Sequence, residues 1–185
     1  MTKHVLLLCI AIILSTSVSR AQDSWGVGVS GAYNFPLKSI GVGVRGQIPL
    51  GVKMAVSPQV RYFPKTNQIN EVYAVVAFQY NLLNPYQERG HKRYIYKNNK
   101  PTVYTTIEVA YNQWINYLPT LSKNAKKNNI LGNVGLGAAI GSSSVRLFAE
   151  AKYNVLWNET FGEIGLLVFP GTIRKNRYSS CPKIK

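Results

Sequence analysis

Cysteine is almost absent from this chain: of 185 residues, only Cys9 and Cys181 carry a thiol. Acidic side chains are nearly as scarce, 7 against 22 Lys and Arg, and there are 2 histidines. Beyond the N-terminus, no stretch approaches the ~20 apolar residues of a transmembrane helix. Each scarcity excludes something. So few cysteines cannot supply a disulfide framework. A single histidine past residue 4, His91, leaves no second ligand at zinc-like spacing. Any membrane crossing must be made by strands.

The apolar exception is "MTKHVLLLCIAIILSTSVSRAQ". A basic start at Lys3, an apolar stretch from Val5 to Leu14 and small residues before a cut after Ala21 form the pattern of a secretory signal peptide. Cys9 lies within that stretch, without a lipobox-like context. Removing residues 1–21 from the 185 leaves 164, one modest domain by length. The cut also takes Lys3 and Arg20, so 20 basic residues face 7 acidic ones, a balance of +13. Cys181 is then the only thiol, and no intramolecular disulfide can form. An exported domain of this size needs another source of stability.

What the chain does have is alternation with a period of two. Odd positions from Trp25 to Tyr33 are Trp, Val, Val, Gly and Tyr, and the even ones are Gly, Gly, Ser and Ala. Similar alternation predicts strands at about 40–48, 52–64, 71–82, 102–113, 129–140, 145–155 and 160–169. Eight strands of this length suit a closed barrel, whose membrane-spanning strands need ~9–11 residues each. In "VKMAVSPQVRYFP" one parity is Val52, Met54, Val56, Val60 and Tyr62, and the other holds Lys53, Ser57, Gln59 and Arg61. The polar parity throughout is mostly glycine, alanine and serine with scattered charges. That is a poor soluble surface and a good filling for a narrow lumen. The apolar parity carries aromatics near strand ends, as a lipid-facing band with interfacial girdles requires.

The inner parity also collects charges. Glu71, Glu108, Glu150 and Glu163 fall on it, together with Arg45, Lys53, Arg61, Arg146 and Lys152. Isolated burial costs several kcal/mol per ion, so such charges persist when paired and hydrogen-bonded. The expectation is a salt-bridge core that keeps the barrel rigid and closed; a basic filter for anions is the second reading.

These features resemble the small bacterial outer-membrane β-barrels typified by the transmembrane domains of OmpA and OmpX. The carriers are the signal peptide, alternating strands such as "SWGVGVSGAYNF" and "SVRLFAEAKYNVLW", and a final "FGEIGLLVF" ending in Phe169. Glycine and tyrosine usage looks most like barrels of the Bacteroidota. The resemblance implies an all-β, antiparallel up-and-down transmembrane barrel in the bacterial outer membrane, with both termini periplasmic and usually no enzymatic activity. The count is eight strands, or ten if "KRYIYK" adds to the wall. The layout is a signal peptide at 1–21, a barrel over 22–170 and a basic tail over 171–185. Two features depart from the family pattern. The longest connection, around 81–101, follows the fourth strand, where family members have short periplasmic turns, and the chain continues past Phe169.

Several motifs have blander explanations. "GVGVSG" at 26–31 and "GVGVRG" at 41–46 match a dinucleotide-binding pattern, but neither follows a strand and opens a helix, so their glycines are expected to pack in the lumen. Asn158-Glu159-Thr160 is a chance sequon. His91 beside Glu88 is a solvated loop histidine unless it starts a lipid-modifying site. No catalytic, cofactor or metal site is assigned. The basic residues cluster at Arg89, Lys92, Arg93, Lys97 and Lys100, at Lys123, Lys126 and Lys127, and at Arg174, Lys175 and Arg177 of the tail. Export argues against nucleic acid. Anionic outer-membrane lipid, lipopolysaccharide phosphates or another outer-membrane or periplasmic protein fit better. The functional expectation is a non-enzymatic structural or accessory barrel, a subunit of a larger secretion or motility assembly in its most concrete form. A soluble lipocalin-like ligand-binding barrel and a lipid-modifying outer-membrane enzyme are the alternatives.

Overall fold

The computed structural model describes residues 25–66, 69–89, 93–96, 100–115 and 127–170. Among these are β1 (Gly26–Asn34), β2 (Ser39–Pro49), β3 (Met54–Thr66), β4 (Ile69–Leu83), β5 (Tyr86–Arg89), β6 (Arg93–Tyr96), β7 (Thr102–Ile115), β8 (Asn128–Gly141), β9 (Val145–Asn154) and β10 (Glu159–Val168). Eight of them close a barrel in the order β1-β10-β9-β8-β7-β4-β3-β2, and β5 and β6 pair with each other in a separate two-stranded sheet. All barrel neighbours are antiparallel, and β10 pairs with β1 from Val27↔Val168 to Asn34↔Phe161 to close the ring. The "RYIY" of that stretch therefore belongs to a hairpin outside the wall, and the wall itself has eight strands. No helix among the described residues is long and apolar enough to cross a membrane.

The turns follow from local chemistry. Asn34 Oδ1 accepts a hydrogen bond from the Leu37 amide at 3.2 Å, and Lys38 closes the β1–β2 turn with a positive φ of 50°. The β9–β10 turn repeats this design. Asn154 Oδ1 accepts from the amides of Leu156 and Trp157, both at 3.0 Å, and Asn158 takes a φ of 54°. An asparagine that bonds its own backbone is what such turns select, and Asn158 is a residue that tolerates the left-handed region, whereas Lys38 adopts it without that preference.

Alternation then sorts the side chains. Val44, Val60, Val76, Ile107, Leu136, Leu147 and Ile164 are exposed on the outer wall, Ile164 at 65%. Tyr33, Tyr62, Tyr111 and Tyr153 sit near the ends of β1, β3, β7 and β9, with Trp25 and Tyr80 toward the opposite rim. An apolar belt with aromatic edges is the surface that a bilayer covers. The inside is polar in its middle and apolar at both ends. At the end where both termini emerge, here the terminus end, Tyr86, Tyr104, Phe148, Leu167 and Phe169 pack with Ala55 and Ala139. At the far end, Ala32, Phe63, Tyr73, Val75, Ala110 and Leu131 pack with Trp157 against them. The soluble alternative, with an apolar interior around a ligand, has the two faces reversed from what is observed.

Glycine on the inner face makes room for rings. A Cβ on Gly41 would stand 2.6 Å from the Phe63 ring, and one on Gly137 would stand 2.5 Å from the Tyr104 ring. The two dinucleotide-like motifs are thus packing devices, with one correction: their last glycines, Gly31 and Gly46, share the parity of outward-facing Val29 and Val44, so the motif glycines do not all lie on one face. A Cβ on Gly132 would meet nothing within 4 Å. Gly41→Ala is expected to lower stability by about 1–3 kcal/mol through overpacking. Gly132→Ala should be neutral, both read as urea midpoints in detergent. Equal midpoints for the two variants would refute this account of the inner glycines.

Candidate functional site

The centre of the lumen holds three cations and three carboxylates. β2 contributes Arg45, β3 Arg61, β7 Glu108, β9 Glu150 and Lys152, and β10 Glu163; all six side chains are at most 3% exposed. Lys152 is the hub. Its Nζ lies 2.5 Å from Glu108 Oε1, 2.6 Å from Glu150 Oε2 and 2.7 Å from Glu163 Oε2. Arg45 Nη1 reaches Glu150 Oε1 at 2.9 Å, and Arg61 Nη2 reaches both Glu108 oxygens at 2.8 Å, with its Nε 3.3 Å from Glu163 Oε2. Aromatic faces complete the cage, with the Arg45 guanidinium 4.3 Å above the Phe148 ring and that of Arg61 5.2 Å from Phe161.

Neutral polar groups extend the network toward both ends. Glu150 Oε1 accepts from Tyr104 Oη at 2.7 Å and from Gln79 Nε2 at 3.2 Å. Gln47 Nε2 donates to Gln79 Oε1 and to Tyr86 Oη, both at 2.7 Å. Asn133 Nδ2 donates to Glu108 Oε2 at 3.1 Å, and Gln59 Oε1 accepts from Arg61 Nη2 at 2.8 Å. Each buried ion therefore meets counter-charge and hydrogen bonds together, the condition under which burial is tolerated.

The nine charges expected in the lumen divide accordingly. Six form the network. Arg146 is buried nearer the terminus end, where its Nη2 donates to Thr102 Oγ1 at 2.9 Å and to the carbonyl oxygens of Ala139 and Lys100. Glu71 is half-buried at the far end, accepting from Tyr73 Oη and from Asn112 Nδ2. Lys53 is not inside at all. The Leu50 amide bonds the Met54 carbonyl oxygen at 2.9 Å, so the chain has already turned at residues 51–53, and Lys53 is exposed there.

Of the basic contact residues, Arg89 lies in β5 and Arg93 in β6, while Lys100 and Lys127 are exposed beside β7 and β8. Lys92, Lys97, Lys123, Lys126, Arg174, Lys175 and Arg177 lie outside the described residues, as do His91, the expected signal peptide and the tail. Tyr86, 2% exposed, is the lumen residue that sequence reasoning missed, because it sits in a connection with no alternation to mark it.

Chemically, this arrangement closes the bore. The glutamate oxygens lie within 4.8 Å of one another, a spacing a metal ion could use, and the Lys152 ammonium stands among them instead. A void of about 20 Å³, ringed by Asn34, Arg61, Phe63, Tyr73, Asn133, Asn154, Glu159 and Phe161, has room for about one water. A wider concavity of about 730 Å³ lies on the outer wall over Val27, Val44, Pro58, Val60 and Val76, facing lipid rather than lumen. An anion filter would need a bore, and the centre of this lumen is filled.

No protein-family model and no curated protein matches the sequence. Solved structures do. The N-terminal β-barrel domain of Pseudomonas aeruginosa OprF aligns over 79% of this chain and 96% of its own, with 11% identity and a TM-score of 0.56. The fold is that of a small outer-membrane barrel. Neisserial surface protein A, NspA, agrees, with 12% identity, a TM-score of 0.52, and 78% of this chain and 94% of that one covered. At such identities the likeness concerns the barrel alone.

Removing the hub of this barrel tests the network. Lys152→Met leaves three buried carboxylates with two cations and is expected to cost about 3–5 kcal/mol. Phe78→Ala on the lipid face should cost distinctly less. Urea unfolding followed by the heat-modifiable gel shift reads both, and a Lys152→Met midpoint no lower than that of Phe78→Ala would show that the network does not hold the barrel.

Proposed function

We propose that this protein is a closed bacterial outer-membrane barrel without enzymatic activity, acting as a structural or accessory component of a larger membrane assembly. One observation carries the reading: the lumen is sealed by a charge-balanced network between two apolar caps, so neither passage nor ligand storage is on offer inside. Function then falls to the outer surfaces.

Topology supports a division of labour between those surfaces. Antiparallel order brings the connection at residues 84–101 and the chain after Phe169 to the terminus end, which we place in the periplasm. Arg89, Lys92, Arg93, Lys97 and Lys100 belong to that connection, and Arg174, Lys175 and Arg177 to the tail. Lys123, Lys126 and Lys127 belong to the β7–β8 connection at the opposite end, suited to lipopolysaccharide phosphates or other anionic head groups. The terminus-end surface suits an outer-membrane or periplasmic protein, and a secretion or motility assembly of the Bacteroidota type is the concrete setting for it.

The test is purification of the tagged protein from outer-membrane fractions in mild detergent, with co-purifying proteins identified by mass spectrometry. The expected result is a stoichiometric partner, lost on neutralising the cluster at 89–100 or deleting residues 171–185. A free-standing barrel with no partner would reject the accessory role, and recovery in the soluble fraction would reject the membrane setting.

A further inference from the structure

The far end of the lumen holds more negative charge than the described residues balance there. The central network is even, three cations against three carboxylates. Glu71 on β4 and Glu159 on β10 add two carboxylates beyond it, from strands on opposite sides of the ring. Among the described residues neither forms an ion pair, and Lys38 and Lys127 at that rim are exposed. Both glutamates are half-buried, so an ion can enter from solvent.

The void of about 20 Å³ lies at this level, bordered by Glu159 from β10 and by Tyr73 from β4. The donors around it are already committed. Asn34 Nδ2 donates to Glu159 Oε2 at 3.1 Å, Tyr73 Oη donates to Glu71, and Asn133 Nδ2 donates to Glu108 Oε2 at 3.1 Å. That last bond fixes which way the Asn133 amide is turned. Its Oδ1, on a residue 2% exposed that lines the void, is buried without a hydrogen-bond partner. Asn112 repeats the pattern beside Glu71: Nδ2 donates to Glu71 Oε2 at 3.2 Å, and the buried Oδ1 has no partner. Arg61 also borders the void, with its guanidinium committed to Gln59, Glu108 and Glu163.

A buried acceptor without a donor is costly, and so is a withdrawn carboxylate without a counter-charge. One positive ion relieves both. In the centre of the lumen Lys152 takes that place among the glutamates; at the far end no described side chain does.

We propose that the far-end void is a calcium site, in which Glu159 and the side-chain oxygen of Asn133 hold the ion and Glu71, behind Tyr73, supplies the second negative charge. Carboxylate and amide oxygens are the donors that calcium takes, in flexible geometry completed by water, whereas magnesium demands an octahedron and keeps most of its own water. The void has room for about one water-sized occupant, which suits a bare ion and not a hydrated one. Such an ion is part of the filling. It leaves the seal intact, and it does not depend on the accessory role.

The experiment uses full-length protein in zwitterionic detergent micelles stripped of metal with EDTA. Terbium stands in for calcium and is excited through Tyr73 and Trp157 of the far-end cluster. Wild type is expected to sensitise terbium emission, and calcium should displace terbium about tenfold better than magnesium does. Glu159→Gln should weaken terbium about tenfold while keeping the heat-modifiable shift of a folded barrel. Glu71→Gln, read in the same way with Glu159 in place, should weaken it by a smaller factor. Glu88→Gln on β5, away from the site, should change nothing. Calcium at ~5 mM should raise the melting temperature of wild type by about 3 °C and leave that of Glu159→Gln unmoved. Equal emission from wild type, Glu159→Gln and Glu71→Gln would put the ion elsewhere and overturn the proposal. Absence of emission, with no cation moving the melting temperature, would give the void to water alone and overturn it too.

Discussion

Everything inside this barrel is arranged around one ammonium group. Lys152 stands among Glu108, Glu150 and Glu163, and each of those carboxylates is also held by an arginine from β2 or β3. Arg45 on β2 and Arg61 on β3 can reach the carboxylates of β9, β10 and β7 all together only if the sheet closes. The network therefore rewards closure and register together: a slip of one residue in any of these strands would send its ion into the lipid. In most small proteins apolar burial does this work. Here the apolar residues are spent on the outside, and a domain that cannot form an internal disulfide uses ion pairs at its centre instead.

The two apolar caps make that choice tolerable. Tyr86, Tyr104, Phe148 and Phe169 at one end and Phe63, Tyr73 and Leu131 at the other keep bulk water from the middle of the lumen, where pairing would otherwise be weakened by screening. Inner glycines let the rings lie against the wall, so cap and wall are fitted at the same positions. Among the described residues, caps, glycines and network form one continuous filling.

Period-two alternation made the wall legible, because a lipid-facing parity and a lumen-facing parity differ in composition at nearly every step. Eight strands, the inward polar face and the six network charges follow from it. Parity gives a face but not a height, which is why Arg146 and Glu71, on the inner parity, sit away from the network. It also continues through a turn without notice, and so Lys53 looked internal when the backbone had reversed. Gly31 and Gly46 were misassigned for the related reason that a shared motif suggests a shared face, although a spacing of three or five residues changes the face. Tyr86 carried no signal, since its burial depends on where a connection folds back and not on any repeat.

The turns at the far end have a consequence for how the molecule is seen. The β1–β2 and β9–β10 turns are four residues each, and Phe35, Val155 and Leu156 are exposed on them. Turns so short and greasy sink into the head-group layer instead of rising from it. Around β9, β10, β1 and β2 the far rim therefore ends in short apolar turns rather than in raised polar loops. Under the orientation proposed above, a large molecule arriving at that rim would find little raised backbone to hold along these four strands.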